Sequence, residues 1–477
     1  MFGLGAINPN VRAIGGSQQH DLHRRAAQIR AELQQGVRKP FSDVIDVSSG
    51  DSHLTGMMPL TFARQVIAVC ICPALIHSDD LPVDVRRRAQ ELLAQLDGES
   101  LGSYTDSCGA PNVQRSVAEF ITRRDGGVPA SPQNIFICGG SQRALALLLE
   151  ILIPNEGPPH TGVLTPVPTH KTFTMLLEEM GAVMVPYQLC EEQGWVLQID
   201  ELRRALRDSR GHCSPKVLYI INPGNPTGHV QTMKSIAEVI QFAAEEELFL
   251  LVDEVYQDTV HGDNSEFISY KKVLFEMGGE YSETVQMASV HSISKGYMGE
   301  GGLRAGYVEL VNIDHAVMPF ANWLIGIRIC APMPGQVALD IMARPPQPGD
   351  ASYAQYTQEV QAIRETLVRN VRRAQEVLNS LPCMSCQLPE AGIFVFPRLQ
   401  FHPQVEEHAK KVGVDADLLY SRRLLEDSGV CVSPGCECGQ RDGTHHLRLC
   451  VLIPTDTLDE VLTRLTCFHL RYMAEFL

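Results

Sequence analysis

The chain has 477 residues, of which 44% are hydrophobic and 20% charged, and its formal net charge is -16 at pH 7. This composition is typical of a globular protein of two or three domains. The negative charge disfavours nucleic acid or an anionic membrane as the main partner, and no uncharged apolar stretch reaches the ~18 residues of a membrane-spanning helix.

The N-terminal sequence and the cysteines both bear on location. The first residues lack the basic and apolar regions of a signal peptide and the frequent arginine of a transit peptide. The 14 cysteines are scattered, mostly within apolar segments, which is typical of reduced cytosolic thiols. We therefore expect a cytoplasmic protein, with a mitochondrial location as the second choice.

Two cysteine pairs are the candidates for a metal site. Cys383 with Cys386, and Cys436 with Cys438, have spacings that could contribute to structural zinc. The pairs lie far apart in the sequence, and the second is in a Gly-rich loop. We favour unligated thiols at both and predict no metal.

The N-terminal part is predicted to hold an arm and helices. Residues 1–20 are interpreted as an arm, because Gly15-Gly16-Ser17 is a flexible joint. Asp21 is expected to cap a helix that ends at Gly36. The apolar face of that helix comprises Leu22, Ala26, Ile29 and Leu33.

From about residue 130, strands and helices alternate with short connections. This pattern predicts an α/β fold with a mostly parallel sheet covered by helices. The predicted strands cover 135–138, 163–165, 217–221, 248–252 and 285–290.

The C-terminal third has a different pattern, with long amphipathic helices over 360–378 and 418–425, a strand over 447–451 and a closing helix capped by Asp456. It indicates a smaller α+β domain that packs with the N-terminal segment. The predicted division is 1–95 for the arm and part of the small domain, 96–335 for the large domain, and 336–477 for the rest of the small domain.

Unusual polar residues follow five of the predicted strands, where parallel sheets bind their ligands. Lys295 is the most informative, because only nine lysines occur and this one follows a strand among small residues. Burial and neighbouring charges can lower the pKa of such a lysine and make it a Schiff-base amine. The other residues of the set are Ser141, Gln142, His170, Asn225, Asp253, Tyr256 and Ser292.

Pyridoxal 5'-phosphate bound to Lys295 would give each group a role. The backbone N–H groups of Gly140, Ser141 and Gln142 would open a helix N-terminus suited to the phosphate. The Ser292 hydroxyl and the Arg304 guanidinium would bind the same phosphate.

The remaining polar residues would contact the cofactor ring. Asp253 would face the pyridine nitrogen and keep it protonated. Asn225 and Tyr256 would hydrogen-bond the phenolic oxygen, and His170 would stack on the ring face. Taken singly, Asp253 could equally be a helix cap, and the segment 222–226 could be only a turn.

Three segments resemble the fold-type I pyridoxal-phosphate-dependent aminotransferases, and among them the alanine aminotransferases. They are 222–228 (NPGNPTG), 253–256 (DEVY) and 292–300 (SISKGYMGE). The resemblance extends from about Asn8 to the C-terminus. Stretches at 123–127, 332–336 and 439–441 are typical of the alanine branch.

The resemblance implies a set of site residues. Lys295 would be the Schiff-base lysine, Asp253 the pyridinium partner and, with Tyr256, part of the catalytic set. Arg304 would bind the phosphate, and Arg448, by itself an ordinary surface arginine, would bind the substrate carboxylate. The predicted substrate contacts are Arg448, Asn225 and Gly50.

The resemblance also implies a homodimer with active sites at its interface. Tyr104, in a loop of small polar residues, falls where the family sends a tyrosine to the neighbouring subunit's phosphate. The pocket also departs from the alanine branch: His170 stands where a tyrosine is usual, and Ser48-Ser49 replaces Asn-Ile before Gly50.

The function that the resemblance implies is amino-group transfer from L-alanine to 2-oxoglutarate, which gives pyruvate and L-glutamate. Two alternatives remain open. The site could direct the same cofactor to elimination or to a different amino acid. The chain could also be a dimeric relative that binds ligands without turnover.

Overall fold

Helices dominate the first part of the structure, a computed structural model that describes residues 3–154 and 157–476. The elements up to residue 124 are α1 (Pro9–Ala13), α2 (Gln18–Gln34), β1 (Ile45–Asp46), α3 (Thr61–Ile71), α4 (Val83–Leu93) and α5 (Pro111–Arg124). None of the helices in the described ranges is both long and apolar enough to cross a bilayer.

Helix α2 begins earlier than predicted. Asp21 lies inside its first turn, so the prediction that Asp21 caps the helix is wrong. The Glu437 carboxylate accepts a hydrogen bond from the Gln18 N–H at 2.6 Å and one from the Ser17 hydroxyl at 2.6 Å. A carboxylate from a distant part of the chain thus stabilises the free N–H end of the helix.

The predicted arm folds back on the same chain. Helix α1 packs against a later helix of the sheet region, and the Gly15 N–H donates to Glu178 Oε2 at 2.7 Å. The predicted apolar face of α2 is confirmed, because Leu22, Ala26 and Ile29 are buried and Leu33 packs beside them. These contacts fix residues 9–20 to their own subunit.

Strands and helices alternate over the next part of the chain and build the central sheet. The elements are β2 (Ile135–Cys138), α6 (Ser141–Leu152), β3 (Thr161–Val167), α7 (Lys171–Met180), β4 (Val183–Gln188), α8 (Ile199–Ser209), β5 (Ser214–Ile221), α9 (Met233–Glu245), β6 (Phe249–Asp253), α10 (Tyr270–Glu276), α11 (Gly279–Ser282), β7 (Met287–Ser292) and β8 (Gly306–Val311).

The sheet has the order β2-β8-β7-β6-β5-β3-β4, and β8 alone runs antiparallel to its neighbours. The prediction of a mostly parallel sheet is therefore confirmed. Strands β2, β7, β6, β5 and β3 all end at one edge, which brings the five polar strand ends together.

Two strands of the sheet were not predicted, for different physical reasons. Strand β4 contains Pro186, which disfavours strand assignment, but β4 is an edge strand, where proline is tolerated. Strand β8 contains Glu309 among apolar residues, and this carboxylate is buried because it pairs with Lys271 of α10. Only the tertiary partner explains that charge.

The C-terminal part consists of long helices around a small sheet. Its elements are α12 (Met318–Arg328), α13 (Met333–Ala343), α14 (Tyr353–Asn379), β9 (Met384–Ser385), β10 (Phe394–Val395), β11 (Arg398–Leu399), α15 (Pro403–Val412), α16 (Ala416–Ser428), β12 (Val430–Cys431), β13 (Ser433–Pro434), β14 (His445–Cys450) and α17 (Thr455–Ala474).

Strand β14 is the centre of the small sheet and pairs antiparallel with β10, β11 and β13. The predicted helices over 360–378 and 418–425 are confirmed as parts of α14 and α16. Asp456 is the second residue of α17 and not its cap, since Pro454 precedes the helix. Its carboxylate still lies in the first turn, where negative charge is favourable.

The N-terminal segment contributes to two different cores. Ile45 and Val47 pack with residues of α14, α16 and α17, and β1 pairs parallel with β12. Helices α3 and α4 instead pack with α5 and α13. The predicted boundaries at 95 and 335 remain predictions, and α13 runs through the second of them.

We predict that Lys271→Met destabilises the fold by about 3–5 kcal/mol, because it leaves the Glu309 carboxylate buried without its cation. Lys271 and Glu309 are each 2% exposed, and the second Glu309 oxygen has no other partner among the described residues. Urea unfolding would measure the loss. The double variant Lys271→Met/Glu309→Leu should recover most of it, and a single variant as stable as the wild type would contradict the prediction.

Candidate active site

A cavity of about 390 Å³ opens at the edge of the central sheet where β2, β3, β5, β6 and β7 end. The sequence-predicted residues that line it are Gly50, Ser141, Gln142, His170, Asn225, Asp253, Tyr256, Ser292, Lys295, Arg304 and Arg448. Tyr104 does not line the cavity of this subunit, and 76% of its surface is exposed. The structure thus brings together every predicted site residue except the one assigned to a subunit interface.

Lys295 enters the cavity from the turn that follows β7. Its Nζ donates a hydrogen bond to the Gly50 carbonyl oxygen at 2.8 Å. A Cβ on residue 50 would lie 2.6 Å from that Nζ and 2.9 Å from Ile393, so a side chain at this position would displace the amine or Ile393. Burial lowers the pKa of the Lys295 ammonium, and the charges of Arg448 and Arg304 act in the same direction.

Asp253, Tyr219 and His170 form a buried hydrogen-bonded chain on one wall of the cavity. The Tyr219 hydroxyl donates to Asp253 Oδ2 at 3.1 Å. It lies 3.0 Å from His170 Nε2, and His170 Nδ1 lies 2.8 Å from the Thr172 hydroxyl. Because the Tyr219 proton is used on Asp253, the hydrogen-bond network assigns a proton to His170 Nε2, which donates it to the Tyr219 oxygen. In the neutral imidazole, Nδ1 then accepts from the Thr172 hydroxyl.

Burial controls the ionisation of both ends of this chain. It lowers the pKa of His170 to about 3, and the charges of Arg448 and Lys295 add to the effect. It raises the pKa of Asp253 to about 6, against the hydrogen bonds from the Val255 N–H and the Tyr219 hydroxyl. His170 is therefore uncharged across the physiological range, and Asp253 gains from any cation placed against it.

The opposite end of the cavity is built to receive an anion. Helix α6 begins there without a side-chain cap, and Ser141 and Gln142 of its first turn line the cavity, so the free N–H groups of this turn are available to an anion. The Gly140 N–H, predicted to join them, instead donates to the Cys138 carbonyl at 2.7 Å. Arg304 donates from Nη2 to the Gly139 carbonyl at 2.8 Å. A Cβ on Gly140 would meet Arg304 Nη2 at 2.4 Å, so the glycine makes room for the guanidinium.

Arg448 lies on the third side, on β14. Its guanidinium stands 4.5 Å above the Phe394 ring and donates from Nη2 to the Ser48 carbonyl at 3.0 Å. Its buried Nε has no hydrogen-bond partner among the described residues. The guanidinium is thus held in place while the Nε donor remains available, beside the other free N–H groups, for a ligand carboxylate.

Sequence reasoning missed two residues of this site. Tyr219, which links His170 to Asp253, lies in the centre of the aliphatic strand β5. A buried tyrosine needs a partner for its hydroxyl, so its presence there was a usable signal. Phe394 supports Arg448, but it stands in an apolar run and carries no signal of that role.

The residues present fit pyridoxal phosphate. The uncapped α6 terminus, Ser292 and Arg304 would hold its phosphate, Lys295 would hold it covalently, and the buried Asp253 carboxylate would balance a protonated ring nitrogen. The unpartnered Arg448 Nε fits a substrate carboxylate next to the same lysine. The fold and this lysine-centred site are those of a fold-type I pyridoxal-phosphate enzyme.

Comparison with known proteins identifies the family. Residues 75–465 match the family model described as aminotransferase class I and II. Alanine aminotransferase 2 of Xenopus laevis is 45% identical over 99% of this chain and 88% of its own length. Alanine aminotransferase 1 of Homo sapiens is 44% identical over 99% of this chain and 95% of its own length.

A solved structure supports the same fold. The alanine aminotransferase from Pyrococcus furiosus superposes with a TM-score of 0.76 at 21% identity, over 98% of this chain and all (100%) of that chain. The chain belongs to the class I and II aminotransferases. It is a pyridoxal-phosphate-dependent transaminase.

We predict that His170→Tyr binds pyridoxal phosphate at least as tightly as the wild type and keeps its activity. A larger ring extends into the cavity and offers more stacking contact. With its pKa lowered to about 3, His170 also has no charge change near neutral pH to contribute. Cofactor titration and the pH profile of kcat/KM would measure both.

Tyr219→Phe is a companion variant to His170→Tyr. It removes the hydroxyl that contacts both His170 and Asp253 and keeps the ring, so it shows how the site responds when the hydrogen-bonded chain is broken and His170 is unchanged. A limb near pH ~6.5 in the wild type that disappears in His170→Tyr together with turnover would contradict the prediction.

Proposed function

We propose that this transaminase transfers the amino group of L-alanine to 2-oxoglutarate and forms pyruvate and L-glutamate. The observation that carries the proposal is the Arg448 guanidinium, which is fixed over Phe394 with a free donor in the same cavity as the Lys295 amine. Relatives named alanine aminotransferases, 44–45% identical over nearly the whole chain, support the choice of amino acid.

Arg448 positions the substrate. A guanidinium binds a carboxylate through two parallel hydrogen bonds, which fixes the orientation of the amino acid as well as its position. The Ser48 carbonyl and the Phe394 ring hold the side chain in place, so little freedom is lost on binding. The α-carbon of the substrate would then face the side of the cavity from which Lys295 projects.

Lys295 moves the proton. Its pKa is lowered by burial, which favours the neutral amine that a general base requires. Bound pyridoxal phosphate supplies the electron sink for the charge left when the Cα proton is removed. The Gly50 carbonyl keeps the lysine side chain within the cavity. Asp253 would provide the anion that keeps the ring nitrogen of the bound cofactor protonated.

The decisive assay mixes purified protein, L-alanine and 2-oxoglutarate and follows pyruvate. Lys295→Ala should abolish turnover while the fold remains. Arg448→Lys should lower kcat/KM for L-alanine roughly tenfold to a hundredfold, because losing a charge-assisted hydrogen bond costs about 1.5–3 kcal/mol. Arg369→Lys, on the exposed side of α14, is the matched control and should change nothing.

The other substrates of the assay separate the alternatives. Turnover of a different amino acid with none for L-alanine would overturn the proposed substrate and leave the transaminase class intact. Release of ammonia without an acceptor would indicate elimination. Full activity of Lys295→Ala would contradict the role of that lysine.

We further propose that the protein is a homodimer in which Tyr104 completes the neighbouring site. Tyr104 is 76% exposed, and α12 beside it exposes Phe320 (62%), Trp323 (63%) and Ile327 (80%). The thiol of Cys108 donates to Asn322 Oδ1 at 3.1 Å, so the Tyr104 loop and α12 form one surface. Exposed apolar side chains of this size are typical of an interaction surface.

Mixing two inactive variants tests this arrangement. Tyr104→Ala and Lys295→Ala subunits, dissociated and reassociated together, should form hybrid dimers in which one site has both lesions and the other has none. Random pairing predicts recovery of about a quarter of wild-type activity. No recovery despite verified hybrids, or wild-type activity of Tyr104→Ala alone, would contradict the role of Tyr104.

A cytoplasmic location is also proposed. The 14 cysteines all carry free thiols, which suits a reducing compartment. Cell fractionation with markers for cytosol and mitochondria would test this.

A further inference from the structure

Three potential metal ligands meet behind the substrate side of the cavity, on three different elements. His23 projects from α2, Asp46 from β1 and Cys431 from β12. The parallel pairing of β1 with β12 places Asp46 directly opposite Cys431. His23 Nε2 lies 3.5 Å from Asp46 Oδ2, and the ligand atoms of all three residues lie within 4.8 Å of one another.

We propose that His23, Asp46 and Cys431 form a binding site for a divalent transition metal of the Zn²⁺ class. Imidazole nitrogen, carboxylate oxygen and thiolate sulfur are the three ligand types that Zn²⁺ takes in proteins. A water molecule would be the fourth ligand, because 40% of the His23 side chain is exposed, whereas Asp46 is 8% and Cys431 1% exposed.

The geometry is close to what the ion requires. Bonds of about 2.0–2.3 Å in a tetrahedral site place the ligand atoms about 3.3–3.8 Å apart. The His23–Asp46 separation of 3.5 Å already satisfies this. The other two separations are no longer than 4.8 Å, so each has to shorten by about 1 Å at most, and rotation of the side chains would supply this.

The charges also balance. When the metal binds, the Cys431 thiol proton leaves to solvent and the Sγ–metal bond forms in its place. One thiolate and one carboxylate then neutralise the two charges of the ion, so the loaded site carries no net charge in a partly buried place. Mg²⁺ and Ca²⁺ prefer six or more oxygen ligands, and this site offers one carboxylate.

The site is separate from the residues that hold cofactor and substrate. Asp46 Oδ1 accepts hydrogen bonds from the Ser48 N–H at 3.1 Å and from the Ser48 hydroxyl at 2.6 Å, and Oδ2 faces His23. A metal on Oδ2 therefore leaves the Asp46–Ser48 contact in place. Its bond to His23 Nε2 would replace the contacts of that nitrogen with the Ser48 hydroxyl at 2.8 Å and with Gln19 Nε2 at 2.9 Å. The cysteine pairs with zinc-like spacing contribute nothing to this cluster, and the proposal does not rest on the proposed reaction.

Metal titration of the cofactor-loaded enzyme tests the proposal. After treatment with a chelator and dialysis, Zn²⁺ is titrated against a chromophoric chelator, and Co²⁺ is used as a spectroscopic probe. The expected result is one tight equivalent, with a thiolate-to-Co²⁺ charge-transfer band and visible bands of tetrahedral cobalt. Mg²⁺ in excess should not compete.

Variants distinguish this site from exposed thiols elsewhere. His23→Ala and Cys431→Ser should each lose that equivalent and the charge-transfer band, while Cys213→Ser, at another buried free cysteine, keeps both. His23→Ala changes a partly exposed side chain, so it reports on binding even where Cys431→Ser fails to fold. No tight equivalent in the wild type, or an unchanged equivalent in His23→Ala, would overturn the proposal.

Discussion

The hydrogen bond from Lys295 to the Gly50 carbonyl is the contact on which the site depends. It joins two residues 245 positions apart in the sequence. Lys295 belongs to the edge of the central sheet, whereas Gly50 follows β1, which pairs with β12 of the C-terminal part. The amine thus sits at the junction of both parts, and its burial there lowers its pKa. A lysine with the same local sequence on an open sheet edge would remain a fully charged surface ammonium.

The pKa values in the cavity are set by burial and by the excess of basic over acidic side chains around it. Arg304, Arg448 and Lys295 in its protonated form are the cationic groups around one space. The two arginines lower the pKa of Lys295, and Arg448 and Lys295 lower that of His170. His170 is kept neutral by the same burial, so it offers a ring and hydrogen bonds without adding a further positive charge. Asp253 supplies the negative charge on the same wall. Burial raises its pKa to about 6, and a cationic ring nitrogen placed against it would stabilise the anion.

Much of this site could be predicted from sequence because parallel strands end at one edge. Lys295, Asp253 and Asn225 each follow a strand whose approximate position was visible in the apolar pattern, so their convergence followed from topology. What could not be predicted depends on tertiary partners. In the sequence, the charge of Glu309 interrupts the apolar pattern of a strand, and only its ion pair with Lys271 explains why it is buried there. The start of α2 likewise depends on Glu437, about 420 residues away.

The segment 46–51 connects these features. Asp46 holds Ser48 through two hydrogen bonds, the Ser48 carbonyl accepts from Arg448, and the Gly50 carbonyl accepts from Lys295. One short stretch therefore sets the distance between the cation that would bind the substrate carboxylate and the amine that would move its proton. Asp46 in turn lies 3.5 Å from His23 Nε2 and opposite Cys431 in the pairing of β1 with β12. Asp46 is thereby linked to Arg448 through the hydrogen bonds of Ser48, and to Lys295 through the backbone that leads from Ser48 to Gly50.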